Sequence, residues 1–385
     1  MIRSMNDILL DISLKSVKIV VFPATLQTDW YCALMTDVDG VQTVVEFSCG
    51  NSSDNVAKLI VDFVQQNEGV RIRRLSDLDG LLGIDNTLNG RNNMAVMRSA
   101  MANGLIQIRS CKDQMPLQNF LGGNGLKSVD LYANINRSLF ATDRSPSAFA
   151  EMAERAVDLG YTTIKCAPFD EVNRALGGNA LFEVAELGIK RVKEIRSSVG
   201  DSCEILVDCH GRFTIDTAFE VADKLNRLGV SWFEEPVDPV DYIEELCEIA
   251  QDAPIPIAAG ESGYGLLFFE NLMEVGGLDI LMPDVKYCGG AAEAVEIANM
   301  AVSKSVGFSM HCPSGPVSLL LSAHVSAAVS SSYKLEHAVA EVDWRSKIMD
   351  PSEIISQGRL HIPDGPGLGA SLTEELLKYG EVIRQ

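Results

Sequence analysis

The chain has 385 residues, a formal net charge of -21, 46% hydrophobic and 22% charged residues. Nearly half-apolar composition excludes a disordered chain, and 53 acids against 32 bases exclude nucleic acid and an anionic membrane surface as partners, because both need a basic face. At this length a large domain with a smaller one is expected.

Residues 14–50 read as strands, with Val38-Asp39-Gly40-Val41 between two β-branched runs as a hairpin turn. SSDNVAKLIVDFVQQN has helical spacing behind a cluster of capping residues, and FSCGNSSDN is expected to cap that helix rather than contact a ligand. Residues 90–110 read as a second helix, and LGG at 121–123 closes an α+β unit. From residue 129 the texture changes. Eight short apolar runs, VDLYANIN, YTTIKCA, CEILVDCH, VSWFEEPV, IPIAAGES, DILMPDVK, VGFSMHC and YKLEHAV, alternate with amphipathic helical stretches. Eight such units predict a closed (β/α) barrel, and no GxGxxG supports the competing open doubly wound sheet. The expected division is a capping domain over 1–128, a barrel over 129–349, and a C-terminal segment of about 350–385 that packs back on the cap.

Nine cysteines, an odd number without CxxC spacing, fit reduced thiols and a cytoplasmic protein. The first residues, MIRSMNDILLDISL, lack the pattern of a signal peptide. No apolar run reaches the roughly 18 residues of a membrane span.

The polar residues at the strand ends are Lys165, Asp208, Glu234, Glu261, Asp284, His311 and Glu336, at spacings of 43, 26, 27, 23, 27 and 25. After the first gap, each spacing is close to one βα unit, so the seven recur at equivalent positions, at the barrel end where active sites are built. Charge inside apolar runs is costly unless partners converge. Asp208, Glu234 and Glu261 lie on neighbouring strands, and three like charges in one mouth call for a hard dication; an all-oxygen set suits Mg²⁺ better than Zn²⁺. Three unrelated polar caps are the competing explanation. Asp284 and His311 end adjacent strands, where a carboxylate on one imidazole nitrogen makes the other a general base. His210, two residues after Asp208, is expected beside the metal as ligand or proton donor. Lys165 can hold a substrate carboxylate, and Asn134, Asn136 and Arg137, at the end of the first strand, can contact a hydroxyl or a carboxylate. The CPSGP turn after His311 offers main-chain N–H groups to a ligand. Glu235 points away from Glu234 and is expected to serve as a supporting or ion-pairing residue. His324 and His361 are expected to be structural, and His337 to face away from Glu336.

VDCHGRF, WFEEPV, AAGES, MPDVKYCGG, HCPSGPVS and LEH, in this order, resemble the enolase superfamily. More closely they resemble its mandelate racemase branch and the acid-sugar dehydratases similar to galactonate dehydratase. The resemblance implies an α+β cap over a modified (β/α)7β barrel. It implies Asp208, Glu234 and Glu261 as Mg²⁺ ligands, Asp284 and His311 as the dyad that removes an α-proton, and Glu336 as a hydrogen-bonding partner of the substrate carboxylate. His210 matches the histidine that protonates a departing hydroxide. One departure is informative. Where two-base members carry Lys-x-Lys, this chain has Lys165-Cys166-Ala167. Lys165 keeps the carboxylate contact, but the opposite face has no lysine, which favours β-elimination over racemisation. Lys286 shares a strand face with Asp284 and is the one substitute base in view. The resulting expectation is Mg²⁺-dependent dehydration of an aldonate or aldarate to a 2-keto-3-deoxy acid. Epimerisation or cycloisomerisation through the same enolate, and a non-catalytic binding scaffold, are the alternatives. A homo-oligomer is expected by analogy.

Overall fold

The computed structural model describes residues 8–84, 90–176, 178–274, 276–375 and 380–384. The N-terminal unit is built on β1 (Ile12–Pro23), β2 (Asp29–Asp37) and β3 (Gln42–Glu46), which form an antiparallel meander. The expected turn joins β2 and β3: Asp37 Oδ1 accepts the N–H groups of Asp39 and Val41, and Gly40 supplies the positive φ of 85°. Helices α1 (Ser53–Gln66), α2 (Leu75–Leu82), α3 (Asn93–Lys112) and α4 (Leu117–Phe120) follow, with the short β4 (Arg71–Ile72) paired to β1. In α1 the apolar positions Val56, Ala57, Ile60, Val61 and Val64 keep helical spacing and are buried.

Eight strands then alternate with seven helices. The strands are β5 (Ser128–Asn134), β6 (Thr163–Cys166), β7 (Glu204–Asp208), β8 (Val230–Glu234), β9 (Ile257–Ala259), β10 (Ile280–Leu281), β11 (Gly307–Phe308) and β12 (Leu335–Ala338). The helices between them are α5 (Pro146–Asp158), α6 (Gly178–Val199), α7 (Ile215–Arg227), α8 (Ile243–Asp252), α9 (Gly265–Glu274), α10 (Ala291–Ser303) and α11 (Pro316–Ala328). Strands β5 to β11 pair in sequence and in parallel, and β12 pairs in parallel with β5. Between β11 and β12 the wall is closed by Tyr333 N–H to Phe308 O (2.7 Å) and Glu336 N–H to Met310 O (3.5 Å). The architecture is a (β/α)7β barrel. Local sequence explains the outer ring: α5 starts on Ser145, whose Oγ accepts Ala148 N–H, with Pro146 at its first position. Helix α7 turns Ala218, Val221, Ala222 and Leu225 inward.

The C-terminal segment divides between the two units. A hairpin of β14 (Ile354–Ser356) and β15 (Arg359–His361) pairs antiparallel with β5, whereas β17 (Glu381–Arg384) joins the edge of β1. Between them β13 (Met349–Asp350) pairs with β16 (Ser371–Leu372). All nine cysteines are free thiols and seven are buried. Among the described residues no helix is long and apolar enough to cross a membrane.

Candidate active site

The strand period of two places the site. Tyr132, Leu206, Trp232 and Met282 belong to a separate cluster of apolar groups buried inside the barrel. Two residues further along each of those chains stand Asn134, Asp208, Glu234 and Asp284, all buried. Lys165 and Glu336, fully buried on β6 and β12, complete the layer. The paired strands stop before Glu261, Asp284 and His311, which therefore lie on the loops that continue β9, β10 and β11. His210 also lies past its strand. It has a φ of 51° and owes its place to a turn in which its own N–H meets Asp208 Oδ1, not to strand alternation.

Asp208, Glu234 and Glu261 bring one carboxylate oxygen each within 4.8 Å of one another. Their nearest cations are Lys165, at 2.6 Å from Glu234 and 3.4 Å from Asp208, His210, at 3.2 Å from Asp208, and His311, at 3.0 Å from Glu261. Glu234 Oε2 is buried with no hydrogen-bond partner, a costly state for an isolated carboxylate oxygen. Burial, with the neighbouring carboxylates, pushes the Glu234 carboxyl far above its usual range despite Lys165. Three convergent carboxylates, with buried unsatisfied oxygens on Glu234 and Glu261, fit a hard dication such as Mg²⁺.

His311 Nδ1 meets Asp284 Oδ2 at 2.9 Å, and its Nε2 points toward Glu261 and, at 3.8 Å, Glu336. Burial alone would depress this imidazole, but Glu261 and Glu336 hold it well above the ordinary histidine range. Lys286 donates to Asp284 Oδ2 and to Ser314 Oγ, both at 2.6 Å. Burial would lower the Lys286 ammonium, but Asp284 holds it far above its ordinary value. A lysine committed to the same carboxylate as His311 and to Ser314 is not a free base.

Glu336 lies between Lys165 at 3.1 Å, Asn134 Nδ2 at 2.7 Å and Cys312 N–H at 2.8 Å. Asn136 accepts Ala167 N–H through Oδ1. Both asparagines thus spend hydrogen bonds on the protein, while the Arg137 guanidinium lies over the Phe140 ring, 5.5 Å from the centroid, and within electrostatic range of the Glu341 carboxylate. The CPSGP turn is not an open donor nest. Glu46, reaching from the cap, accepts Gly315 N–H at 2.9 Å and Ser318 N–H at 3.1 Å. Glycine is required there: a Cβ on Gly315 would lie 2.8 Å from Glu46 Oε2 and 2.9 Å from the Trp30 ring. Arg345 fixes the same turn through Ser314 O at 2.8 Å. Glu235 forms no ion pair among the described residues. It accepts the N–H groups of Gly260 and Glu261 and so carries the loop that presents Glu261. In the FSCGNSSDN loop Ser52 makes no side-chain cap; Ser53 Oγ instead accepts Cys49 N–H and donates to Gly50 O. His324 is held between Gln118 N–H and Leu368 O, His337 against Tyr161, and His361 lies on β15 near Ser356.

A cavity of about 750 Å³ lies over the site, lined by His210, Glu261, Lys286 and His311 from the barrel and by Ser48 to Asp54 from the cap. A smaller cavity of about 150 Å³ adjoins it beside Ala167, with Arg137, His210 and His311 in both linings.

The family model described as "Enolase C-terminal domain-like" matches residues 148–376. Over 267 residues the chain is 31% identical to D-xylonate dehydratase of Haloferax volcanii, covering 67% of this chain and 63% of that protein, less than two thirds of its length. It is 30% identical over 288 residues to arabinonate dehydratase of Saccharolobus solfataricus, covering 74% and 72%. The fold matches that of a member of the enolase superfamily from Salmonella Typhimurium with a TM-score of 0.82 at 22% identity, over 97% of this chain and 99% of the other. An enolase of the mandelate racemase subgroup from Agrobacterium tumefaciens gives 0.80 at 22%, over 97% and 98%. The chain belongs to the enolase superfamily.

Proposed function

We propose that the protein is a Mg²⁺-dependent hydro-lyase that converts an aldonate or aldarate to a 2-keto-3-deoxy acid. The observation that carries this is the pairing of His311 with Asp284, its second nitrogen 3.0 Å from Glu261, one of the three convergent carboxylates, with His210 on Asp208 nearby. The sugar-acid dehydratases among the relatives support the same chemistry.

Asp208, Glu234 and Glu261 would hold the ion. When bound, Mg²⁺ would supply positive charge for the enolate oxygens and draw the carboxylates away from the two imidazoles. The protein's own groups do the rest. Asp284 fixes the His311 tautomer with Nδ1–H toward the carboxylate, leaving Nε2 to accept the C2 proton. Lys165 faces the substrate carboxylate and offsets the charge that grows on it as the C–H bond breaks, and Glu336 hydrogen-bonds that carboxylate through a shared proton. His210 donates a proton to the 3-hydroxyl as the C3–O bond breaks, releasing water, and the resulting enol ketonises. Ala167 leaves the face opposite His311 without a base, which supports elimination over racemisation.

A library of aldonic and aldaric acids, incubated with the protein and Mg²⁺ and read with semicarbazide, is expected to yield a 2-keto acid from at least one stereochemical series. No product from any member would sink the proposal. Chelation of the metal should abolish turnover reversibly, and Glu234→Gln should weaken Mg²⁺ binding in calorimetry by at least about 100-fold.

A further inference from the structure

We infer that the substrate carries a second carboxylate, at the end remote from the reacting carbons, and that Arg137 binds it: the substrate class is the aldarates. This rests on the sugar-acid hydro-lyase proposed above and narrows it. The arginine and lysine side chains lining the two adjoining cavities are Arg91, Arg137, Arg144 and Lys286, beside His210 and His311, which face Asp208 and Glu261. Arg91 pairs with Asp238, Arg144 with Asp170 and Lys286 with Asp284. Among the described residues that line these cavities, Arg137 is the cation with no carboxylate within 4.0 Å.

Its position is fixed. Arg137 opens a single turn, Ser138–Ala141, whose first residues are tied down by Leu139 N–H to Asn136 O and Ser138 Oγ to Ile135 O. Asn136 is itself bound to Ala167 N–H on the next strand. The guanidinium lies over the Phe140 ring, which restricts its rotamers and leaves its planar edge available for bidentate pairing. A preorganised guanidinium with no carboxylate in direct contact, the buried Glu341 carboxylate being only within electrostatic range, is matched by a carboxylate better than by a hydroxyl.

The cavity beside Ala167 has a volume of about 150 Å³, on the order of five waters at about 30 Å³ each. That is room for a carboxylate and its neighbouring carbinol carbon. A longer side chain at Ala167 would fill it. The walls toward the cap carry Asp29, Glu46 and Asp54, whereas the acids of the smaller cavity, Asp170 and Asp208, are paired with Arg144 and His210. An anionic substrate end turned toward the cap meets like charge, so the remote carboxylate is directed to Arg137 while hydroxyls face the cap.

The test uses matched six-carbon aldaric and aldonic acids of each stereochemical series with the Mg²⁺-loaded protein, comparing wild type, Arg137→Met and Arg137→Lys. Calorimetric binding is read beside turnover. The expected result is at least tenfold tighter binding of one aldarate than of its aldonate, with a matching difference in kcat/KM. Arg137→Met should raise the KM for that aldarate roughly 100-fold, change kcat little, and leave aldonate binding within about threefold. Arg137→Lys should restore part of the difference. Equal binding of the two acids by the wild type, or an equal loss for both in Arg137→Met, overturns the inference. If the aldarate preference and its loss in Arg137→Met appear in binding but no 2-keto acid forms, the hydro-lyase proposal fails and the assignment of Arg137 stands.

Discussion

The two mouths of the barrel are built from the same strands, and the side-chain layers buried just inside them are of opposite kinds. At the C-terminal mouth Lys165, Asp208, Glu234, Asp284, His311 and Glu336 are buried together, each with an oppositely charged neighbour within 4.0 Å. At the N-terminal mouth the layer of Tyr132, Leu206, Trp232 and Ile280 borders a cavity of about 540 Å³ that Glu204, Asp279 and Lys334 also line, and Tyr132 Oη and Trp232 Nε1 are buried without a hydrogen-bond partner. Along β5, β7 and β8, two residues separate one regime from the other. The strands give rigidity to both. The upper layer uses it to keep like charges at close range, where any relaxation would release their energy; the lower layer uses it to keep aromatic rings packed. Substitutions at the upper end should therefore change chemistry with little effect on stability, and substitutions at the lower end the reverse.

The sharpest test of the upper end is His311→Asn. Loss of the base should lower kcat by about 10⁴-fold, with Mg²⁺ binding retained in calorimetry and the thermal midpoint near that of the wild type. Retained turnover would remove His311 from its role. At the lower end, Trp232→Ala removes a ring packed edge-on against Tyr132 at 5.7 Å and Tyr333 at 6.3 Å. The expected cost is about 3–5 kcal/mol in denaturant unfolding, with kcat/KM unchanged within a few-fold. A comparable fall in kcat/KM would show that the two layers are coupled.

The histidines repeat the contrast. His311 is surrounded by acids that raise its pKa, whereas His324 in α11 accepts Gln118 N–H on Nδ1 and faces Leu368 O with Nε2. That arrangement suits only the neutral ring, and burial holds its pKa down at about 4. In the unfolded chain the same group titrates near about 6.5. Between these values the unfolded state binds the extra proton, so the stability His324 contributes is complete above pH 6.5 and is lost as pH falls toward 4. The loss amounts to about 3 kcal/mol. Denaturant midpoints measured from pH 7 to pH 4.5 should fall in the wild type and fall less steeply in His324→Gln. Parallel slopes in the two proteins would mean that His324 takes up its proton without unfolding.

The upper layer was legible in the sequence because each of its residues ends one repeating unit. Periodicity of about 25 residues picks out Asp208, Glu234, Glu261, Asp284, His311 and Glu336 without reference to any contact, and the eight apolar runs give the barrel in the same way. What supports the layer left no such trace. Glu46 lies 269 residues from Gly315, and nothing in QTVVEFS marks its carboxylate as the acceptor for the turn after His311. Glu235 was visible as a neighbour of Glu234 and expected to be a supporting or ion-pairing residue. Its hydrogen bonds to Gly260 and Glu261 depend on a φ of 40° that strand alternation does not foresee. Lys286 was weighed as a base; only its distances to Asp284 and Ser314 show a side chain committed to holding the dyad and its turn together. Local repetition reveals which residues share a mouth, while the partners that fix their rotamers come from long-range packing.

The smallest expected effect is also the one that asks most about the lower mouth. Trp232→Phe keeps an aromatic ring against Tyr132 and Tyr333 but removes Nε1–H, which is buried without a partner. The smaller ring gives up some packing, up to about 1.5 kcal/mol for a well-tolerated apolar exchange. Deleting an unsatisfied buried donor returns about 1–3 kcal/mol. The two terms oppose each other, so denaturant unfolding should move by no more than about 1 kcal/mol in either direction. If Trp232→Phe instead costs as much as Trp232→Ala, the indole N–H must be satisfied in solution, and ordered water in the cavity beneath it is the available acceptor. The lower mouth would then be a hydrated polar site in its own right, and the separation of charged and apolar layers along β5, β7 and β8 would hold for the side chains but not for the solvent between them.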